Sequence, residues 1–305
     1  MPLLPLPGLL AHARRHGYAL GYFESWDSYS FEGVLAAART AESPVIVGFG
    51  ATMLDGEWLD GGGIALLGAT GRALLADCPV PVALLLNETH SLGQAVTGID
   101  AGFTAVMMDT HHWPAADTVA AVAELVKVAQ PRGVAVEAEV GSLPDFVDGQ
   151  IAGTAQLTDP AVARDFVAAT GVDCLAVSVG NVHLLTDGAA ELDLDRLRAI
   201  GEAVPVPLAL HGGTGLPLDA LPAAIAAGVA KINVGTRLKA AYLEALSKAL
   251  ASRTGRESVH DLLGSHRALD VQVAGRQAVS EVVVALLERY GSAGRSGCVL
   301  REVSP

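Results

Sequence analysis

Short runs rich in Val, Leu, Ile and Ala alternate along this chain with longer runs whose apolar residues recur at helical spacing. The strand candidates are "ALGYF" (19–23), "PVIVGFG" (44–50), "VPVALLLN" (80–87), "TAVMMD" (104–109), "VAVEAEVG" (134–141), "CLAVSVG" (174–180), "PLALHGG" (207–213) and "KINVGT" (231–236). Between them lie stretches such as "FEGVLAAARTAE", "GIALLGATGRALLADC", "TVAAVAELVKVAQ" and "DPAVARDFVAAT". The last predicts a helix with Asp159 as N-cap and Pro160 at its first position. The strand runs are apolar on nearly every residue, as parallel strands covered on both faces must be. Helical crossovers make parallel pairing natural. The expected fold class is therefore α/β, a TIM (β/α)8 barrel over about residues 19–250. A doubly wound open sheet is the alternative, but it gives no reason for polar groups at so many strand ends. From Arg237 to about Tyr290, two or three further helices, including "QAVSEVVVALLERYG", predict a C-terminal helical extension. No linker or low-complexity segment interrupts the chain, so residues 1–305 read as a single domain.

Composition narrows the class. About half of the 305 residues are apolar, enough for a large core. No apolar stretch reaches the roughly 20 residues of a membrane helix, so no membrane partner is expected. The start, "MPLLPLPGLLAHARRHG", is apolar and then basic, the reverse of a secretory signal, and reads as a lead-in to a first helix. Cys78, Cys174 and Cys298 are far apart and odd in number, with no disulfide framework or paired zinc motif, so a reducing cytoplasm is the expected location. The formal net charge of −13 argues against nucleic acid as a partner. It does not exclude an anionic small molecule, because local donors outweigh a distant field.

The strand ends carry the chemistry. Asn87 and Glu88 end the third run, Asp109 the fourth, and Glu139 lies near the end of the fifth. His183 follows the sixth, His211 ends the seventh, and Asn233 to Thr236 end the eighth. Barrel active sites sit at these C-terminal ends, so all would converge on one mouth. Glu139, His183 and His211 offer two imidazoles and a carboxylate for zinc or another divalent metal, and Glu88 adds a fourth candidate. A lone histidine after a strand is more often a hydrogen-bonded structural residue; it is the set at matching strand ends that points to metal. "HGGTG" (211–215) lets backbone N–H groups approach a phosphate, and "NVGT" (233–236) adds Asn233 and Thr236 as donors. Two ordinary tight turns would look the same, but the loops after the seventh and eighth strands are where barrels hold phosphate.

These segments, with "SPVIVGF", "IDAGFTAVMMD", "TDPAVARDFVAATGVDCLAVSVGNVH", "GVAKINVGT" and "YGSAGR", resemble the class II fructose-bisphosphate aldolase family, tagatose-bisphosphate aldolases included, over nearly the whole chain. The resemblance implies a metal-dependent barrel, homodimeric or homotetrameric, that cleaves a ketose bisphosphate to dihydroxyacetone phosphate and an aldehyde. It implies Zn2+ as cofactor, with His183 and His211 as two of the family's zinc histidines. Glu139 matches a ligand for an alternate metal position, with Asp109 near it. Gly212, Gly213, Thr214, Asn233 and Thr236 match residues that hold the phosphorylated donor.

The match breaks in the catalytic shell. Residues 84–88 read "LLLNE" where the family has "LHLDH". Asn87 replaces an aspartate that protonates the aldehyde oxygen, and an amide cannot serve as a general acid near neutral pH. Glu88 replaces the third zinc histidine, giving a weaker Lewis acid that would tolerate Mn2+, Fe2+ or Co2+. Alternatively His90 swings in as ligand and Glu88 acts as acid or base. Glu24 stands where the family usually has a substrate-contacting Asn, Gly50 where some members have a serine, and Leu184 where a glycine normally follows the histidine. The loop "SLPDFVDGQIAGTAQ" offers only Asp145 and Asp148 where the family has a proton-abstracting glutamate. The expected function is a metal-dependent lyase acting on a phosphorylated ketose with an altered acceptor. Isomerisation or epimerisation on the same barrel is a second reading, and a non-catalytic sugar-phosphate-binding relative a third.

Overall fold

A computed structural model describes residues 3–147, 150–185 and 190–303. Among the described residues ten strands occur in chain order: β1 (Leu20–Ser25), β2 (Val45–Gly50), β3 (Val82–Thr89), β4 (Ala105–Met108), β5 (Ala135–Val140), β6 (Asp145–Val147), β7 (Gln150–Ala152), β8 (Cys174–Val177), β9 (Leu208–Leu210) and β10 (Val229–Val234). Eight of them close a parallel barrel in the order β1-β10-β9-β8-β5-β4-β3-β2, so each predicted strand run contains one barrel strand or most of it. The closure is the β1–β10 ladder, in register from Leu20 opposite Lys231 to Phe23 opposite Val234. The short antiparallel β6–β7 pair is an insertion after β5 that the sequence pattern did not show.

Two buried layers follow from the strand alternation. One face of each strand packs against the ring of helices, with Phe23, Val47, Leu84, Val106 and Val136 in one large apolar cluster. The inward face carries smaller residues, among them Ala83, Ala105, Ala135, Ala176 and Ala209, around Tyr22, Ile46 and Leu85. The lower end of this interior is sealed by the helix Leu6–His16, whose Leu6, Leu9 and Leu10 are fully buried. Leu4 N–H donates to the Val82 carbonyl at the start of β3, which fixes that helix at the N-terminal end of the strands.

Local signals explain the helix starts. Asp159 accepts from the N–H groups of Ala161 and Val162, with Pro160 at the first helical position, as the sequence predicts. Asp27 and Ser30 form a reciprocal cap on the helix Ser28–Thr40. Beyond the barrel lie Thr236–Ala251, Val259–Leu262 and Val271–Arg289, and a last helix, Ser296–Val303, that the pattern did not mark. Among the described residues no helix is long and apolar enough to cross a membrane.

Candidate active site

The upper ends of the strands open into a pocket lined by Tyr22, Glu24, Asn87, Glu88, Asp145, His183, Leu184, His211 to Thr214, Asn233 to Thr236 and Lys239. At its floor, ligand atoms of Glu88, His183 and His211 all lie within 4.8 Å of one another. Donors bound to one tetrahedral ion at about 2.1 Å stand roughly 3.3 Å apart, so small side-chain movements bring these three to that spacing.

His211 organises the floor. It is 1 % exposed, and its Nε2 lies 3.0 Å from Glu137 Oε1. Its Nδ1 lies 3.1 Å from Glu88 Oε1 and 3.7 Å from Glu139 Oε2, yet it has no aligned hydrogen-bond partner among the described residues. A buried ring nitrogen facing carboxylates with no hydrogen bond of its own is a fit for a cation. Glu137 is held from behind by Lys231, whose Nζ is 2.9 Å from it, with both residues fully inside the barrel. Lys231 also donates to Asn233 Oδ1 and lies over the Tyr22 ring, 4.9 Å from its centroid. A carboxylate behind a histidine fixes the ring's orientation and raises its basicity.

The protonation states follow from this crowding. Burial disfavours the His211 cation, but the Glu137 and Glu88 carboxylates outweigh it and push the imidazole up to about 10. Burial also opposes charge on Glu88, yet His211, His183 and the Thr52 hydroxyl, 3.1 Å from Oε2, hold it down to about 2. Glu139 is less well compensated: burial first, and then the Glu88 and Asp109 charges, push it up to about 7 against the pull of His211. His183 is held below its ordinary value by burial and by the His211 cation. Glu88 thus stays charged near neutral pH while Glu139 is poised to gain or lose a proton there, a split typical of functional sites.

Asp145, at the start of β6, lines the same pocket, 3.6 Å from His183 Nδ1. The inserted hairpin is tied there by Phe146 N–H donating to the His183 carbonyl and His183 N–H donating to the Pro144 carbonyl. Asp148 lies outside the described residues. Asp109 accepts from the backbone N–H of His111, meets its ring at 2.5 Å, and faces a smaller cavity shared with Glu88 and Glu139. His90 is not brought to the cluster: it is exposed, and its N–H is held by Gln94 at the start of the helix Leu92–Asp100. Asn87 is 2 % exposed, and its Oδ1 has no partner among the described residues.

The glycine turns form the opposite wall. Gly212 has φ +68°, and a Cβ there would meet the Val182 carbonyl oxygen at 2.2 Å, so only glycine fits. Thr214 Oγ1 accepts from Arg237 N–H, and the Arg237 guanidinium donates to the Thr214 carbonyl, which joins this turn to the start of the helix Thr236–Ala251. The start of that helix borders the pocket through Gly235 and Thr236, and the positive end of a helix dipole is a favourable place for an anion.

Glu24 and Lys239 fill the third wall as an ion pair, Nζ to Oε1 2.6 Å. A Cβ on Gly50 would meet Glu24 Oε2 at 2.8 Å, and one on Gly235 would meet it at 3.1 Å, so the two glycines make the space that Glu24 occupies. Leu184, where the resemblance expects glycine, has φ +57° and is partly exposed. A side chain in that region costs about 1–2 kcal/mol.

Comparison with known proteins agrees with this geometry. The model of "Fructose-bisphosphate aldolase class-II" matches residues 5–295. This chain belongs to the class II fructose-bisphosphate aldolase family. It is 33% identical over 298 residues to a "Probable fructose-bisphosphate aldolase" of Bacillus subtilis (strain 168), covering 97% of this chain and 100% of that one. It is 32% identical to the fructose-bisphosphate aldolase of Geobacillus stearothermophilus, covering 97% and 99%. The crystal structure of the YdjI aldolase from Escherichia coli K12 superposes with a TM-score of 0.78 at 26% identity, over 96% of this chain and 99% of that one. The chain is thus a lyase of a metal-dependent family whose substrates are sugar phosphates, built on a closed eight-stranded barrel.

Residues that the sequence reading missed are Glu137, Lys231, Thr52 and Lys239. Glu137 stands two positions before Glu139 and Lys231 two before Asn233, so strand alternation puts each on the same face as a candidate already chosen.

Proposed function

We propose that this aldolase forms or cleaves a carbon–carbon bond beside the carbonyl of a phosphorylated ketone, with an aldehyde partner other than that of ordinary fructose-bisphosphate cleavage. The observation that carries this reading is the convergence of Glu88, His183 and His211 in a pocket whose far wall is the pair of glycine turns. Those three residues would hold a divalent ion, with Glu139 in reserve behind them. Zinc suits two imidazoles and a carboxylate, while the carboxylate also admits manganese, iron or cobalt. Such an ion supplies Lewis acidity toward the ketone oxygen.

The chain's own groups do the rest. The N–H groups of Gly213, Thr214 and Thr236, with the helix end behind them, receive the donor's phosphate, and Asn233 meets its hydroxyl. Asp145 enters the pocket from the hairpin and takes the proton from the donor's hydroxymethyl carbon; Asp148 is a second candidate on the same segment. Glu137 and Lys231 hold His211 in place. Asn87 offers its unpartnered carbonyl oxygen to a hydroxyl of the aldehyde partner, so it orients that partner without protonating it. Glu24 and Lys239 place a carboxylate and an ammonium on the acceptor side, where a polar, hydroxylated aldehyde fits better than a second phosphate beside Glu24. A homodimer or homotetramer is proposed from the family alone. Proton transfer without bond cleavage is the second reading, and the amide at Asn87 is what favours it.

The test is hydrogen–deuterium exchange at the hydroxymethyl carbon of dihydroxyacetone phosphate, followed by NMR on zinc- or manganese-loaded protein. Exchange that is abolished by a chelator and by Asp145→Asn is expected, with fructose 1,6-bisphosphate cleaved far more slowly than the donor exchanges. Absence of exchange on folded, metal-loaded protein would refute the donor assignment. Bisphosphate cleavage as fast as exchange would refute the altered acceptor.

A further inference from the structure

At the opposite end of the barrel a second group of metal-ligand side chains meets, independent of the pocket above. His12 and His16 stand one turn apart on the helix Leu6–His16, with ring centroids 4.1 Å apart, and Glu302 reaches them from the helix Ser296–Val303. Glu302 Oε2 is 3.1 Å from His16 Nε2 and 3.6 Å from His12 Nε2, and ligand atoms of all three fall within 4.8 Å of one another. Two of these separations bracket the roughly 3.3 Å between donors on one tetrahedral zinc ion. We propose that His12, His16 and Glu302 bind a second divalent cation of the zinc type, and that this ion clamps the C-terminal helix to the helix that seals the barrel.

His12 is the residue that singles out a cation. It is fully buried, and its Nδ1 is 2.9 Å from the Tyr18 hydroxyl, a contact that fixes the ring. Its Nε2 is buried and has no hydrogen-bond partner among the described residues, yet it is aimed at the Glu302 carboxylate. An ion-pair cluster alone would satisfy Glu302 through His16 and Arg15, the latter 3.5 Å away, but would leave this nitrogen unpaired. A ring whose second nitrogen is held by a fixed polar group is how metal-bound histidines are oriented. Histidines four apart on one helix face the same way and need little rearrangement. His16 and Glu302 are part-exposed, so an ion can enter, a water can complete the coordination, and the exposed Arg15 can swing aside.

The two helices are also shaped for close approach. A Cβ on Gly8 would meet Val303 Cγ1 at 2.7 Å, and Val299 is fully buried beneath them. Glu302 is therefore delivered next to the histidines by packing, before any ion binds. The last helix is anchored at its start by Ser296 N–H donating to the Glu42 carbonyl, so a metal bridge at Glu302 would add a tie near its other end.

The experiment is a zinc titration of the chelator-treated full chain, with bound metal counted by native mass spectrometry. The chain is compared with His16→Gln, Glu302→Gln and His183→Ala variants. The wild type is expected to take up one zinc more per chain than His16→Gln or Glu302→Gln. In the His183→Ala background, zinc is expected to raise the melting temperature and to slow amide exchange in residues 296–303 at least several-fold. Adding His16→Gln to that background should abolish both effects. His16 and Glu302 are part-exposed, so metal-free melting temperatures should match across the set and separate lost binding from lost folding. Equal zinc uptake by wild type, His16→Gln and Glu302→Gln would overturn the proposal. So would zinc protection of residues 296–303 that survives both substitutions.

Discussion

His211, itself buried, faces the carboxylates of Glu88, Glu137 and Glu139, and that arrangement has a measurable consequence. In the metal-free protein its imidazole is pushed up to about 10, so it is a cation at about pH 8, where an ordinary histidine is neutral. A metal needs the neutral ring, so binding must expel that proton. Calorimetric zinc titrations at about pH 8, in buffers of different ionisation enthalpy, are expected to show close to one proton released per ion at this site. Glu137→Gln should lower the count, because it removes the partner at 3.0 Å from Nε2. A count near zero in the wild type would mean that His211 is already neutral. Glu139, His183 and His211 could be chosen from the sequence because each is a polar group at the end of an apolar run. Their charge states could not, since these depend on Glu88, Glu137 and Lys231, which come from β3, β5 and β10 and meet only when the barrel closes.

At the scale of elements, residues that lie far apart in the chain shape one wall of the pocket together. Gly50 ends β2, Glu24 lies in β1, and Gly235 and Lys239 bracket the start of the helix after β10. β1 is paired with both β2 and β10, so closure brings all four together. The serine that the resemblance implies for some members, introduced as Gly50→Ser, is expected to drive its Cβ into the Glu24 carboxylate and cost about 1–3 kcal/mol by urea unfolding. Adding Glu24→Asn should recover most of that loss, a coupling of about 1–2 kcal/mol, because the shorter side chain vacates the space. Additive losses would mean that Glu24 moves aside freely and that the pair does not shape the pocket. The eight barrel strands and the Asp159 cap were legible because period and capping chemistry are local signals. The β6–β7 hairpin was not, since each strand has three residues and too few positions to show an alternation.

Over the whole molecule, the barrel separates its tasks by end. The C-terminal ends of the strands hold the carboxylates and imidazoles of the pocket, and the N-terminal end is closed by a helix that buries Leu6, Leu9 and Leu10. The sequence predicts a first helix after the apolar start, and local sequence signals do not say which opening that helix fills, whereas in the fold Leu6–His16 fills the lower end of the barrel. Leu9 is fully buried in the plug. Leu9→Ala removes buried volume that the rigid barrel cannot refill, and is expected to cost about 2–5 kcal/mol. The pocket lies at the far end, and the interior cluster that holds Leu9 reaches its lining only through Tyr22. Metal-dependent donor exchange per folded molecule should therefore be unchanged in Leu9→Ala. The stability losses of Leu9→Ala and Gly50→Ser should add within about 0.5 kcal/mol. Urea melts of the two single variants and the double variant, with the exchange rate measured on each, provide the check. A clear deviation from additivity, or a slowed exchange rate at full folding, would mean that the plug transmits strain through the small-residue interior to His211. The Ala-rich inner face makes additivity the expectation, because the fixed polar contacts of the pocket lie above it, among Glu137, Lys231 and His211.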